Sequence, residues 1–214
     1  MKSFLIIGAG GFGHFMCQKL AKLNNAIMVV DVEESKLSDL LPLVDRARIG
    51  DCTKREVLGT FGVESFDVCM VCIKDNFQSS LQVTDLLKEL GAKRIVSLAS
   101  TEVQAKFLLK NGADEVVFPE MDMAESLSFS LSHDSVFDFI VLDADHSILE
   151  VSAPADWQGK SIIELNVRSQ FGISVLAGKR SDGSVFMPGA DYVFNADEHL
   201  MIMGRNEDVN KLIR

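Results

Sequence analysis

Gly8, Gly10 and Gly13 follow an apolar run in the spacing G-x-G-x-x-G, and Asp31 stands 18 residues beyond the last of them. This pattern suits a nucleotide diphosphate. The first glycine permits a tight turn, the second lets the backbone approach the phosphates, and the third lets a helix pack closely on a strand. Gly11 and Phe12 complete the loop, and free N–H groups at the helix start face the anion. A carboxylate at Asp31 accepts from ribose hydroxyls and repels a 2′-phosphate, which favours NAD(H) or an adenine nucleotide over NADP(H). Asp51, with Cys52 beside it, ends a third strand at the same sheet edge. It reads equally as an adenosine contact or as an ordinary helix-start acid. The turn "IKDN" brings Ile73, Lys74 and Asp75 to that edge as well.

The remaining reactive residue types form no catalytic constellation. Cys69 and Cys72 have C-x-x-C spacing but lie inside "DVCMVCI", a strand pattern in which residues three apart point to opposite faces. They and Cys17 and Cys52 read as buried thiols in a reducing compartment. His14 follows the glycine loop at a helix start, where the dipole disfavours a protonated imidazole, so it reads as neutral. His133, His146 and His199 are scattered without metal-ligand spacing, and the single tyrosine, Tyr192, lies far from the loop. The sequence holds no G-x-S-x-G, no H-E-x-x-H and no tyrosine–lysine pair. A nucleotide sensor therefore fits better than an enzyme, with a small NAD-dependent oxidoreductase as the alternative from a different class.

The elements that must position these residues alternate. Strands are expected at 3–8, 26–31, 44–50, 67–73, 94–99 and 115–118. The first helix starts near Gly11, with Phe12, Phe15, Met16, Leu20 and Leu23 as its buried stripe. A short helix is expected around "ESKLSDLL". "TKRE" reads as a capping box in which Thr53 and Glu56 bond reciprocally. Gly91 and Gly112 stop two further helices. Such alternation implies a Rossmann-like, doubly wound parallel sheet of order 3-2-1-4-5-6 over residues 1–118. A linker helix at 119–135 begins at Pro119, with Ala124, Leu127 and Leu131 on one face. Residues 136–214 then read as a small α+β module of short strands.

Bulk properties narrow the function classes. The 214 residues carry a net charge of −10, which leaves no surplus of Lys and Arg for duplex nucleic acid or anionic lipid. No apolar run is long enough to cross a bilayer, and the N-terminus does not read as a signal peptide.

The chain resembles the RCK (or KTN, TrkA-N plus TrkA-C) family, the cytoplasmic regulatory subunits of Ktr/Trk-type potassium transporters. The stretches that carry the resemblance include "IIGAGGFG", "VVDVEESK", "GDCTKREVL", "VCIKDNFQSSL", "GADEVVFPEMDMA" and "WQGKSIIELNVRSQFGISVLAGKR", spread over nearly the whole chain. The resemblance implies a protein that binds ATP, ADP or NAD(H) in its Rossmann half. It further implies assembly into homodimers and an octameric ring on an integral-membrane potassium transporter at the cytoplasmic face. Regulation of a potassium/proton antiporter or a channel is the neighbouring reading. Ktr-type relatives commonly carry Arg at the position of Gly11, so ATP-over-ADP discrimination does not transfer to this chain. Glu120 matches an acid that helps hold Mg²⁺ or Ca²⁺ in relatives, though it also suits a plain helix start. Some relatives bind cyclic di-AMP in the C-terminal half, where Arg168, Ile173 and Pro188 occupy the matching positions.

Overall fold

Strands covered on both faces need near-continuous apolar residues, and the four central strands of the first 120 residues supply them, while the edge strands are more polar and exposed. The computed structural model describes residues 1–213 and divides after Glu120 into two units. In the first, β1 (Ser3–Ile7), β2 (Ala26–Asp31), β3 (Arg46–Ile49), β4 (Val68–Val71), β5 (Ile95–Leu98) and β6 (Glu115–Val117) form one sheet of order β3-β2-β1-β4-β5-β6. Every neighbouring pair is parallel. Helices α1 (Gly11–Lys22), α2 (Arg55–Gly59), α3 (Phe77–Glu89) and α4 (Glu102–Lys110) make the crossovers. This is the doubly wound order expected from the alternation.

Successive strand residues feed opposite cores. Leu5, Ile7, Cys69 and Val71 enter one cluster, with Val83 and Leu87 of α3. Ile6, Met70 and Cys72 enter the other, with Cys17 and Leu20 of α1. Cys69 and Cys72 therefore lie on opposite faces of the sheet, and the C-x-x-C spacing is incidental to strand geometry.

Three local expectations are corrected. The buried positions of α1 are Gly13, Cys17 and Leu20, while Phe15 and Leu23 are exposed. The stripe is thus centred on residues four and three apart, and Phe12 and Met16 only flank it. "ESKLSDLL" forms two 3₁₀ turns, Glu34–Lys36 and Ser38–Leu40, in place of a helix. Only Leu37 and Leu40 are buried there, and their spacing of three suits the tighter turn better than a costly short α-helix. The capping box at Thr53 does not form. The Thr53 hydroxyl donates to Asp51 Oδ1 at 2.6 Å, and α2 starts after Lys54 without a side-chain cap. Asp51 Oδ1 already accepts the Thr53 N–H at 3.0 Å, the donor that Glu56 would have to reach, and Lys54 rather than Thr53 is the N-cap residue.

Helix α5 (Pro119–Leu131) begins at Glu120's neighbour Pro119 and continues into the second unit; none of its residues is fully buried, and Leu127 and Leu131 are exposed. The second unit holds an antiparallel sheet built from β7 (Val136–Val141), β8 (His146–Ser152), β9 (Ile173–Lys179), β10 (Val185–Phe186) and β11 (His199–Arg205), in the order β10-β9-β11-β8-β7. Short helices α6 (Ile162–Leu165), α7 (Val167–Phe171) and α8 (Asn206–Leu212) accompany it. A full capping box opens α6, where Ser161 and Glu164 bond reciprocally. The core centres on Trp157, whose ring lies 4.9 Å from Phe171 and 5.0 Å from Phe194.

One carboxylate is buried in this unit. Glu150 is 8% exposed and accepts from Lys179 Nζ at 2.9 Å and His199 Nδ1 at 2.8 Å. Burial pushes the Glu150 carboxyl up, but His199 and Lys179 together outweigh it and hold the pKa below the usual range. The depressed value means that this stabilisation is present above the ordinary glutamate pKa and is lost as pH falls through the folded value. Glu150→Gln is expected to destabilise the unit at neutral pH by about 1–3 kcal/mol, because it leaves two donors under-satisfied. Urea midpoints at neutral and acid pH check this, and the difference between variant and wild type should shrink in acid.

Candidate functional site

The end of β1 is held open by two glycines that no other residue can replace. Gly8 has φ +99°, and a Cβ there would lie 2.9 Å from the Cys72 carbonyl oxygen. A Cβ on Gly13 would lie 2.0 Å from the Gly8 carbonyl oxygen, so α1 sits directly on the turn. Gly10 and Gly11 are different: a Cβ on either meets nothing within 4 Å. Their backbone faces open space. The first intrahelical bond runs from His14 N–H to the Gly10 carbonyl at 2.8 Å, which leaves the amides of Gly11, Phe12 and Gly13 without helical acceptors. Free amides, an open backbone and the positive end of a 12-residue helix together make an anion cradle.

Asp31 ends β2 beside this loop. It is 8% exposed; Oδ2 accepts from Ala9 N–H at 2.7 Å and Oδ1 from Glu33 N–H at 2.9 Å. The side chain therefore braces the glycine loop as well as facing the ligand space, and each oxygen retains a further acceptor site for a ribose hydroxyl. Asp51 accepts from the Thr53 hydroxyl and, at 3.0 Å, from the Thr53 N–H, and these bonds hold its carboxyl below the usual range. Asp51 thus shapes the turn before α2 and also lies on the cavity wall.

A cavity of about 450 Å³ joins these parts. Gly8, Gly10, Gly11, Phe12, Asp31, Asp51, Cys52, Ile73, Lys74, Asp75 and Glu120 all line it. Gly13 does not; it acts from beneath, by letting the helix approach. Sequence reasoning missed Glu33, Lys36, Thr53, Asn76 and Ser79, which also line the wall. A signal existed for Asn76, a good N-cap residue just before an amphipathic run: its Oδ1 accepts from Ser79 N–H at 3.0 Å at the start of α3. Glu33 and Lys36 form an ion pair at 2.6 Å in the chain that leaves Asp31. His14 is not among the lining residues; its ring nitrogen lies 3.1 Å from Gln18 Nε2.

The cavity fits a nucleotide diphosphate, since the cradle is open at Gly10 and Gly11 and Asp31 stands at the ribose end. A divalent cation shared with the phosphates needs only one or two carboxylates of the wall, of which Glu120 is the sequence candidate. The Glu120 carboxylate is engaged by Lys74 Nζ at 2.6 Å, and no group of three His, Cys, Asp or Glu side chains gathers to hold a metal among the described residues. In the second unit Arg168 is exposed, Pro188 is half-buried and Ile173 is buried in the core.

The thiols are inert by position. Burial raises Cys17 to about 11 and Cys52, Cys69 and Cys72 to about 12. They are thiols rather than thiolates at neutral pH, and so poor nucleophiles and poor metal ligands. A thiol reagent added to native protein is expected to label none of the four within the time that labels all four in urea. Rapid stoichiometric labelling at neutral pH would contradict this placement.

Comparison with known proteins matches two family models to the chain. A family model for the TrkA-N domain matches residues 4–119, and one for the TrkA-C domain matches residues 147–214. The chain belongs to the TrkA-N/TrkA-C family. Among relatives of this family, the Ktr system potassium uptake proteins C and A of Bacillus subtilis (strain 168) are each 33% identical over 210 residues, covering 98% of this chain and 95% of theirs. The Ktr system potassium uptake protein A of Vibrio alginolyticus is 26% identical, with 99% and 96% coverage. Among solved structures, the GsuK channel bound to NAD superposes with a TM-score of 0.70 at 18% identity, covering 100% of this chain and 39% of that one. The GsuK RCK domain gives a TM-score of 0.68 at 18% identity, with 99% and 47% coverage. This chain spans less than half the length of those two structures. At such identity they establish the fold, and the TrkA-N/TrkA-C fold is the one described above.

Proposed function

We propose that the protein is a nucleotide-sensing regulatory subunit of a Ktr-type potassium uptake system. It works at the cytoplasmic face through an integral-membrane partner. The observation that carries this reading is the cavity over the open Gly10–Gly11 backbone, on a chain matched nearly end to end by Ktr potassium uptake proteins. No helix of the described residues is long and apolar enough to cross a membrane.

The ligand is an adenine nucleotide: ATP, ADP or NAD(H). The diphosphate rests on the free amides at the start of α1 and the ribose on Asp31. The protein is not an enzyme in this reading. The ionisable groups of the cavity wall are largely spent on one another, as in Lys36–Glu33 and Lys74–Glu120, and the nearby thiols are protonated. Homodimers assemble into an octameric ring, and the nucleotide gates potassium flow by binding one ring conformation better than another.

The test is potassium flux into vesicles that hold a Ktr-type membrane subunit, with this protein added outside. Flux that changes with nucleotide, and only with the protein present, is expected. Flux indifferent to both would overturn the regulatory role. Steady hydride transfer from NADH by the pure protein would favour an oxidoreductase.

A further inference from the structure

The cavity wall carries the carboxylates Asp31, Glu33, Asp51, Asp75 and Glu120 against only two cations, Lys36 and Lys74. For an anionic ligand this is an adverse balance, and both cations are already taken. Lys36 is held by Glu33, on the chain leaving β2 at the ribose end. Lys74 lies two residues beyond Cys72, whose carbonyl packs against Gly8, and lines the same cavity as the Gly10–Gly11 backbone. Its partner Glu120 is the second residue of α5, the helix by which the chain leaves the first unit.

We propose that Lys74 is the phosphate-end cation of the site and that it exchanges Glu120 for the nucleotide's phosphate on binding. The inference rests on the nucleotide reading above and adds a named switch to it. Both side chains of the pair are about half exposed or more, at 52% and 63%. An ion pair in that setting is weak, because water screens it and two long side chains must be held still. A phosphate resting on helix amides offers Lys74 a more highly charged acceptor, with several oxygens in place of one carboxylate. The present pairing is mutual: the Lys74 pKa is raised by its bond to Glu120, and the Glu120 carboxyl is held down by the same bond. When the ammonium turns to phosphate, Glu120 loses its cation and finds itself near added negative charge. The first turn of α5 is thereby less favourably placed with ligand bound than without. Phosphate occupancy is thus transmitted to α5 by a change of ion-pair partner, with no new residue required.

A double-mutant cycle on ADP affinity tests the exchange, using calorimetry on wild type, Lys74→Gln, Glu120→Gln and the double variant. Lys74→Gln is expected to weaken ADP about five- to tenfold, less than a full charge-assisted hydrogen bond because Lys74 gives up Glu120 to make the contact. Glu120→Gln is expected to tighten ADP several-fold, because it frees Lys74. In the Lys74→Gln background that gain should largely disappear. If Glu120→Gln tightens ADP equally with and without Lys74, Glu120 acts only as a fixed negative charge and the exchange is wrong. If Lys74→Gln leaves ADP affinity unchanged while wild type binds, the exchange is wrong and the nucleotide reading stands. If wild type itself does not bind ADP, ATP or NADH, both fall.

Discussion

Gly13→Ala is expected to cost about 3 kcal/mol or more, the upper end of the range for overpacked sites. The added Cβ would lie 2.0 Å from the Gly8 carbonyl oxygen, a backbone atom, with Cys72 Cβ at 3.2 Å behind it. Gly8 has no room to retreat. Its φ is +99°, its N–H donates to the Val30 carbonyl at 2.8 Å, and the Cys72 carbonyl closes its other side. Either α1 lifts away from the sheet, exposing Cys17 and Leu20, or β1 and β4 separate. The urea midpoint of the first unit should fall sharply. Gly11→Ala is the matched control, two residues away in the same turn of helix, where a Cβ meets nothing. Its stability should stay within about 1 kcal/mol of wild type, and alanine's better helix propensity favours the upper side. A wild-type midpoint for Gly13→Ala would show that the helix does not rest on the turn.

The second large effect is expected at Asp31. Asp31→Ala removes the acceptor of the buried Ala9 N–H and of the Glu33 N–H, and with them the proposed ribose contact. The orphaned Ala9 amide alone costs about 1–3 kcal/mol, whereas Glu33 is exposed and its amide can turn to water. Affinity for NADH should drop by about tenfold or more, since one charge-assisted hydrogen bond is worth about 1.5–3 kcal/mol. NADPH separates a local from a global cause. Repulsion between Asp31 and a 2′-phosphate disappears in the variant, so the ratio of NADH to NADPH affinity should collapse toward unity. A variant that weakens both ligands equally has merely loosened the loop.

These two residues also mark how far the sequence could be read. The glycines and Asp31 were legible because each answers a backbone demand that few residue types meet, and the spacing along the chain fixes where those demands fall. The sheet order followed from uninterrupted apolar strands separated by helical stretches, which leave few topologies. Failures occurred where two local solutions compete at similar free energy. Glu56 and Asp51 could each accept the Thr53 N–H, and only the folded turn shows that Asp51 takes it. Leu37 and Leu40 satisfy either a helix or a 3₁₀ turn until the sheet beneath them is in place. The two-residue strand β10 is too short for any periodicity to report. The pairing of Lys74 with Glu120 spans 46 residues and became visible only when β4 and α5 were placed at one cavity. The buried Glu150 was missed for a similar reason, because its partners Lys179 and His199 come from two other strands.

The central claim is that the cavity over Gly10 and Gly11 holds an adenine nucleotide. Calorimetric titration of ATP, ADP and NADH in turn into the wild-type protein tests it most directly. Saturable binding of at least one of them, at one site per chain and weakened in Asp31→Ala, is the predicted result. No heat of binding and no rise in melting temperature with any of the three would contradict the account.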